Sequence, residues 1–86
     1  MGTVFDDSAL EDLMYWMKHD RKNAEKIHAL IKDIRRNGLD KGIGHPEPLR
    51  YQKAWSRRID QCNRLVYNAD KDGNLQIIAC KGHYEE

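Results

Sequence analysis

The stretch NRLVYNADKDGNLQIIAC (Asn63–Cys80) decides the fold. Two runs rich in β-branched and aromatic residues, Arg64–Ala69 and Leu75–Cys80, flank the turn-forming cluster DKDGN (Asp70–Asn74). That pattern predicts a β-hairpin. Just upstream, Ala54–Asp60 reads as a further strand, joined to the hairpin through Gln61-Cys62 without the usual Asn-Gly turn signal. Both faces of these strands carry apolar residues, so alternation leaves the register across that joint open.

Moving toward the N-terminus, residues 38–48 hold three glycines and two prolines and read as a loop. Before it, Ala24, Ile27, Leu30, Ile31 and Ile34 recur at helical spacing between Asp20 and an Asn37-Gly38 stop. Earlier still, Leu10, Leu13, Met14 and Met17 mark one face of a first helix, capped by Asp7 or by Ser8 with Glu11. The short His19-Asp20 joint makes the two helices an antiparallel hairpin, with Leu13 and Ile31 expected to face the sheet. Thr3-Val4-Phe5 is a short first strand. The order β-α-α-β-β-β predicts an α+β fold, a helical hairpin packed on one face of a mostly antiparallel sheet.

The chain of 86 residues is read as one domain, residues 1–86. Its acidic start and the lack of a long apolar run predict neither a secretion signal nor a membrane span, and a cytoplasmic location. Cys62 and Cys80 form no CxxC unit and read as two reduced thiols, with a disulfide between them as the alternative, since sequence does not give their distance in space. The net charge of +1 hides an asymmetry: residues 1–17 carry −4, residues 18–67 carry +7 and residues 68–86 carry −2. A basic middle is expected of a surface that meets a polyanion, and equally of a well-solvated one.

Glu47 stands between two prolines in HPEPL (His45–Leu49). Pro48 favours an extended conformation for Glu47, and Pro46 stiffens the approach. This suits a carboxylate held in place for reaction, or a loop that simply ends there. In WSRRI (Trp55–Ile59) the adjacent Arg57 and Arg58 point to opposite faces of a strand. One is available to a ligand; the other is left to bind a carboxylate or lie in solvent. Arg64 opens the next strand, and guanidinium groups match phosphate oxygens. No two of His19, His28, His45 and His83 have helical metal-ligand spacing, so no metal and no cofactor is expected. His83 follows Gly82 and precedes Tyr84, and histidine titrates nearest neutrality. RNA cleavage without a metal needs a base for the 2′-hydroxyl, a cation for the phosphorane and an acid for the departing 5′-oxygen. Glu47, Arg64 and His83 offer such groups.

HPEPL (45–49), WSRRI (55–59), NRLVY (63–67) and the late HY (83–84), in that order, resemble the YoeB/Txe family of bacterial toxins within the RelE-like superfamily. YWMKHDRKNAEKIHALIKDIRR (15–36) is similar to that family's helical segment. The resemblance implies a RelE-like, microbial-ribonuclease-like fold and a ribosome-dependent endonuclease cutting messenger RNA in the A site. It implies base function for Glu47, charge stabilisation for Arg64 and acid function for His83. Tyr84, Arg57, Arg58, Arg50 and His45 are implied as substrate contacts. The implied partners are the ribosome with its message and a YefM/Axe-type antitoxin, whose acidic side chains would lie near Arg57, Arg58 or Arg64. The toxin–antitoxin pair would bind its own operator DNA through the antitoxin, and a homodimer is among the expectations. The family usually has a basic residue where His45 stands, and Glu85-Glu86 extends past the usual His-Tyr end. Two other readings are a non-catalytic inhibitor of the ParE kind and a module that binds nucleic acid without cutting it.

Overall fold

A computed structural model describes residues 2–82. Strand β1 (Thr3–Phe5) is followed by helices α1 (Asp7–His19) and α2 (Arg21–Asn37), then strands β2 (Glu47–Pro48), β3 (Trp55–Arg58), β4 (Arg64–Ala69) and β5 (Leu75–Ala79). They form one sheet in the order β1-β5-β4-β3-β2. β1 runs parallel to β5, and the other neighbours are antiparallel. The expected α+β architecture is thus present. One strand was missed: the two-residue β2 lies inside the segment read as loop.

Local chemistry sets the element ends. Asp20 is the whole connection between the helices. Its amide donates to Trp16 O at 2.8 Å, closing α1, while its carboxylate accepts from the amides of Lys22 and Asn23, opening α2. Gly38 ends α2 at φ +100°, and its amide donates to Ile34 O. The expected capping box is absent. Asp6 is the N-cap of α1, with Asp7 and Ser8 already helical, and Asp6 Oδ1 accepts from Gln76 Nε2 across the sheet instead.

The helical stripe on α1 also needs correction. The helix buries Ala9 and Trp16, with Leu13 half-buried, while Leu10, Met14 and Met17 are exposed. Trp16 decides the rotation: its indole N–H donates to Cys80 O at 2.7 Å, beneath the helix. On α2 the buried side is the expected one, with Ile27, Leu30 and Ile34 in the core and Ala24 and Ile31 packed against it. Leu65, Tyr67, Leu75 and Ile77 complete the core from the sheet. Leu30, fully buried, is expected to lose about 2–5 kcal/mol of stability on truncation to alanine. Half-buried Leu13 and Ile31 should lose less, and urea unfolding of the three variants reads the order.

Strand β5 carries a bulge. Tyr67 pairs with Ile77, but the preceding Val66 pairs with Ala79, leaving Ile78 as the extra residue. Simple alternation from Ile77 would send Cys80 to the face away from the helices. The bulge returns it to the core, where Sγ donates to Ala9 O and the amide to Asp12 Oδ2. Burial, and then the nearby Asp12, push the Cys80 thiol up to about 12. Cys62 is exposed, and both cysteines are free.

Candidate functional site

Strand alternation divides the sheet between its two faces. Arg57, Leu65 and Tyr67 turn toward the helices, so Ser56, Arg58, Arg64 and Val66 turn away. Glu47 pairs directly with Ser56 and shares that second face. The sequence-predicted carboxylate and the Arg64 guanidinium therefore come together: Arg64 Nη2 lies 3.7 Å from Glu47 Oε2. That is an ionic contact beyond hydrogen-bond range. Ser56 Oγ accepts from Arg64 Nε at 3.0 Å, which fixes the guanidinium. Arg64 is 12 % exposed and Glu47 60 % exposed. Buried Arg64 Nη2 has no hydrogen-bond partner among the described residues. Arg64 is a cation held in place by Ser56, with Nη2 enclosed beside Glu47.

Arg58 is the direct cross-strand partner of Arg64. Like charges at such positions repel, and Glu47 is the carboxylate beside Arg64 among the described residues. Their separation from Arg57 is complete. Arg57 is fully buried, and its guanidinium spends all five N–H donors inside the protein. Nε donates to Tyr67 Oη (2.8 Å), Nη1 to Asp33 Oδ2 (2.6 Å) and Ile43 O (3.0 Å), and Nη2 to Gly38 O (2.9 Å) and Lys41 O (2.6 Å). Tyr67 in turn donates to Leu39 O at 2.6 Å. The expectation of Arg57 as a substrate contact is therefore corrected: it is the arginine that binds a carboxylate, and Arg58 is the one at the surface. Of the three arginines expected to meet acidic antitoxin side chains, Arg57 is the one enclosed in the fold.

This buried guanidinium clamps the loop that leads to Glu47. The loop's later part is tight. Gly44 has φ +83°, and a Cβ there would lie 2.8 Å from Leu30 Cδ2, so glycine is required. Gly44 O accepts from the Arg58 amide at 2.7 Å. His45 follows at φ +54°, an uncommon backbone state for a residue other than glycine. His45 is exposed, and Arg50 lies outside the sheet with its guanidinium 5.9 Å from the Tyr51 ring centre.

His83 and Tyr84 lie outside the described residues. The chain up to them is well fixed: Gly82 O accepts from the Arg64 amide at 3.0 Å, and the Gly82 amide donates to Asn63 Oδ1 at 2.8 Å. Among the described residues, no three His, Cys, Asp or Glu side chains gather in a way that would hold a metal ion, and no helix is long and apolar enough to cross a membrane. Sequence reading missed Ser56, which fixes Arg64, and the Asp33–Arg57–Tyr67 clamp. The alternation in WSRRI was the available signal for Ser56, since it shares a face with Arg58.

A helical hairpin on one side of a mixed five-stranded sheet, with an arginine–carboxylate pair on the other, defines a small α+β protein whose second sheet face carries a fixed guanidinium. Residues 5–84 match the family model for the YoeB-like toxin of bacterial type II toxin–antitoxin system. Toxin YoeB of Escherichia coli K12 is 42% identical over 86 residues, covering 98% of this chain and 100% of that protein. The YoeB dimer from Staphylococcus aureus superposes with a TM-score of 0.91 at 42% identity, covering 98% of each chain. The YoeB–YefM complex from the same organism gives 0.88 at 41% identity, again over 98% of each chain. The chain belongs to the YoeB-like toxins of bacterial type II toxin–antitoxin systems.

Proposed function

We propose that this toxin is a ribosome-dependent endoribonuclease that cuts messenger RNA in the A site and so stops translation. The observation that carries the reading is the pairing of Glu47 with the fixed Arg64 guanidinium, 3.7 Å apart on the sheet face away from the helices. Glu47 removes the proton of a 2′-hydroxyl. The freed oxygen attacks the adjacent phosphorus, and Arg64 stabilises the negative charge that builds on the phosphorane. The bond from phosphorus to the 5′-oxygen breaks, and His83 supplies that oxygen with a proton. His83 is next in sequence to Gly82, whose carbonyl accepts from the Arg64 amide. Tyr84, Arg58, Arg50 and His45 are proposed to contact the RNA strand.

The partner of this chain is proposed to be a YefM-type antitoxin, as in the S. aureus complex, and self-association as in the S. aureus dimer is part of the same reading. The exposed Arg58 and the fixed Arg64 suit acidic antitoxin side chains. The exposed stripe of Leu10, Met14 and Met17 offers apolar surface to a partner.

The test is a map of cuts on ribosomes programmed with a defined message, followed by end-group analysis. The expected products carry a 2′,3′-cyclic phosphate or its opened 3′-phosphate and a 5′-hydroxyl, and they form in the presence of EDTA-treated toxin. A 5′-phosphate with a 3′-hydroxyl would mean a water nucleophile and overturn the mechanism. No cut at all would leave the protein a non-catalytic inhibitor or a binding module.

A further inference from the structure

A cleft of about 510 Å³ opens beside Arg64, lined by Lys26, Arg58, Ile59, Asp60, Gln61 and Arg64. Its lining joins Arg58 and Arg64 of the sheet to Lys26 on α2. Three cations and one carboxylate line it, yet the carboxylate is already saturated. Asp60 Oδ1 accepts from the amides of Cys62 and Asn63, each at 2.7 Å, and from Asn63 Nδ2 at 3.1 Å. Asp60 Oδ2 accepts from Asn23 Nδ2 at 2.8 Å and from Asn63 Nδ2 at 3.1 Å. Burial works against the charged form, but the bonds from Asn23, Cys62 and Asn63 hold the Asp60 carboxyl below its usual range. Asp60 therefore shapes the turn and neutralises none of the cations by direct contact. Arg64 Nη2 is a buried donor left without a hydrogen bond among the described residues.

We infer that this cleft is a second anion subsite, in which Lys26 and Arg58 seat an RNA phosphate adjoining the one held at Arg64. The inference rests on the nuclease reading and extends it to a residue from the helical layer. Arginine supplies a planar fork and lysine a mobile point charge, a pairing that grips a phosphodiester without reading its base. Phosphate contacts of this kind fix register and contribute affinity. Lys26 is thus a strand-binding residue, remote from the reacting atoms.

The experiment measures binding of a fluorescently labelled, all-2′-deoxy oligonucleotide, which has no 2′-hydroxyl to attack, to wild type, Lys26→Gln, Lys26→Arg and the distal control Lys71→Gln. Lys26→Gln is expected to weaken binding about tenfold, in the range of a lost charge-assisted hydrogen bond. The plot of log affinity against log salt should become less steep by about 0.7, the value for one phosphate contact on a single strand. Lys26→Arg should restore both quantities, and Lys71→Gln should alter neither. On programmed ribosomes, Lys26→Gln should raise the half-saturating ribosome concentration and leave the maximal single-turnover rate within about twofold of wild type. An unchanged salt slope in Lys26→Gln overturns the inference, as does an equal loss in Lys71→Gln. Absence of cleavage by the wild type would instead refute the nuclease reading, and the deoxy-strand binding distinguishes the two failures.

Discussion

Replacing Arg64 by alanine is expected to slow single-turnover cleavage on programmed ribosomes about 10²–10³-fold, the cost of losing a positioned electrostatic donor. Arg64 is suited to that role because its guanidinium is already fixed. Ser56 Oγ holds Nε, and the side chain is 12 % exposed, so little rearrangement accompanies charge build-up on the phosphorane. Ribosome binding should persist, because other basic residues supply most phosphate contacts. His83→Ala should cost about 10²–10⁴-fold, the usual contribution of a general acid. Ser56→Ala removes the bond to Nε and should give a smaller loss in the same step. Glu47→Gln separates two roles for the carboxylate: a large loss means proton transfer, and a nearly full rate means that Glu47 only positions the 2′-hydroxyl. Wild-type rates in both Arg64→Ala and His83→Ala would remove these two residues from the site.

The second large effect is on stability. Arg57→Met should destabilise the fold by about 3–5 kcal/mol, the range for breaking a buried ion pair by removing one partner. The variant leaves Asp33 without its guanidinium and leaves the carbonyls of Gly38, Lys41 and Ile43 without a donor. Hydrogen exchange should show lost protection at the Ile43 amide, which donates to the same Asp33 carboxylate. Lysine cannot substitute, since three donors on a flexible stem replace five in a fixed plane. The clamp also has a pH signature. The Arg57 hydrogen bond, aided by the Ile43 amide, outweighs burial and holds the Asp33 carboxyl below its usual range. A carboxyl depressed in the folded state stabilises the protein above its unfolded value near 3.8 and loses that contribution as pH falls through the folded value. Asp33→Asn should therefore flatten the acid limb of the stability curve below about pH 4. An acid limb identical to wild type would show that the pair does not govern acid unfolding.

The hairpin Arg64–Ala69/Leu75–Ala79 was legible because alternation and the DKDGN turn agree. Helix α2 was legible because its charged and apolar sides are distinct. Helix α1 misled because its apolar side chains span a broader arc than the part that is buried. Leu10, Met14 and Met17 make as good a stripe as Ala9, Leu13 and Trp16, and only the contact of Trp16 with Cys80 chooses between them. Strand β2 was invisible because two residues beside a proline carry no periodicity. Its pairing with Trp55 and Ser56 is what brings Glu47 to Arg64. Alternation showed that Arg57 and Arg58 diverge, yet the choice of the buried one depends on Asp33, 24 positions earlier. Lys26 joins the cleft only through packing of α2 against the turn, which no local pattern encodes.

The bulge at Ile78 acts on the chain as a parity setting. Alternation is a two-state count, and one added residue inverts the count for everything after it. Side-chain substitutions at Ile78 keep that count, so they are felt only locally. The bulge leaves Ile78 out of the count, so its deletion would return a regular ladder, with Tyr67 opposite Ile77 and Val66 opposite Ala79, and Cys80 would still face Ala9. The Asp70–Asn74 turn shares that tolerance, because a change of length at a loop tip is absorbed where it occurs. A deletion scan along the hairpin should therefore find Ile78 among the best-tolerated positions within its strands.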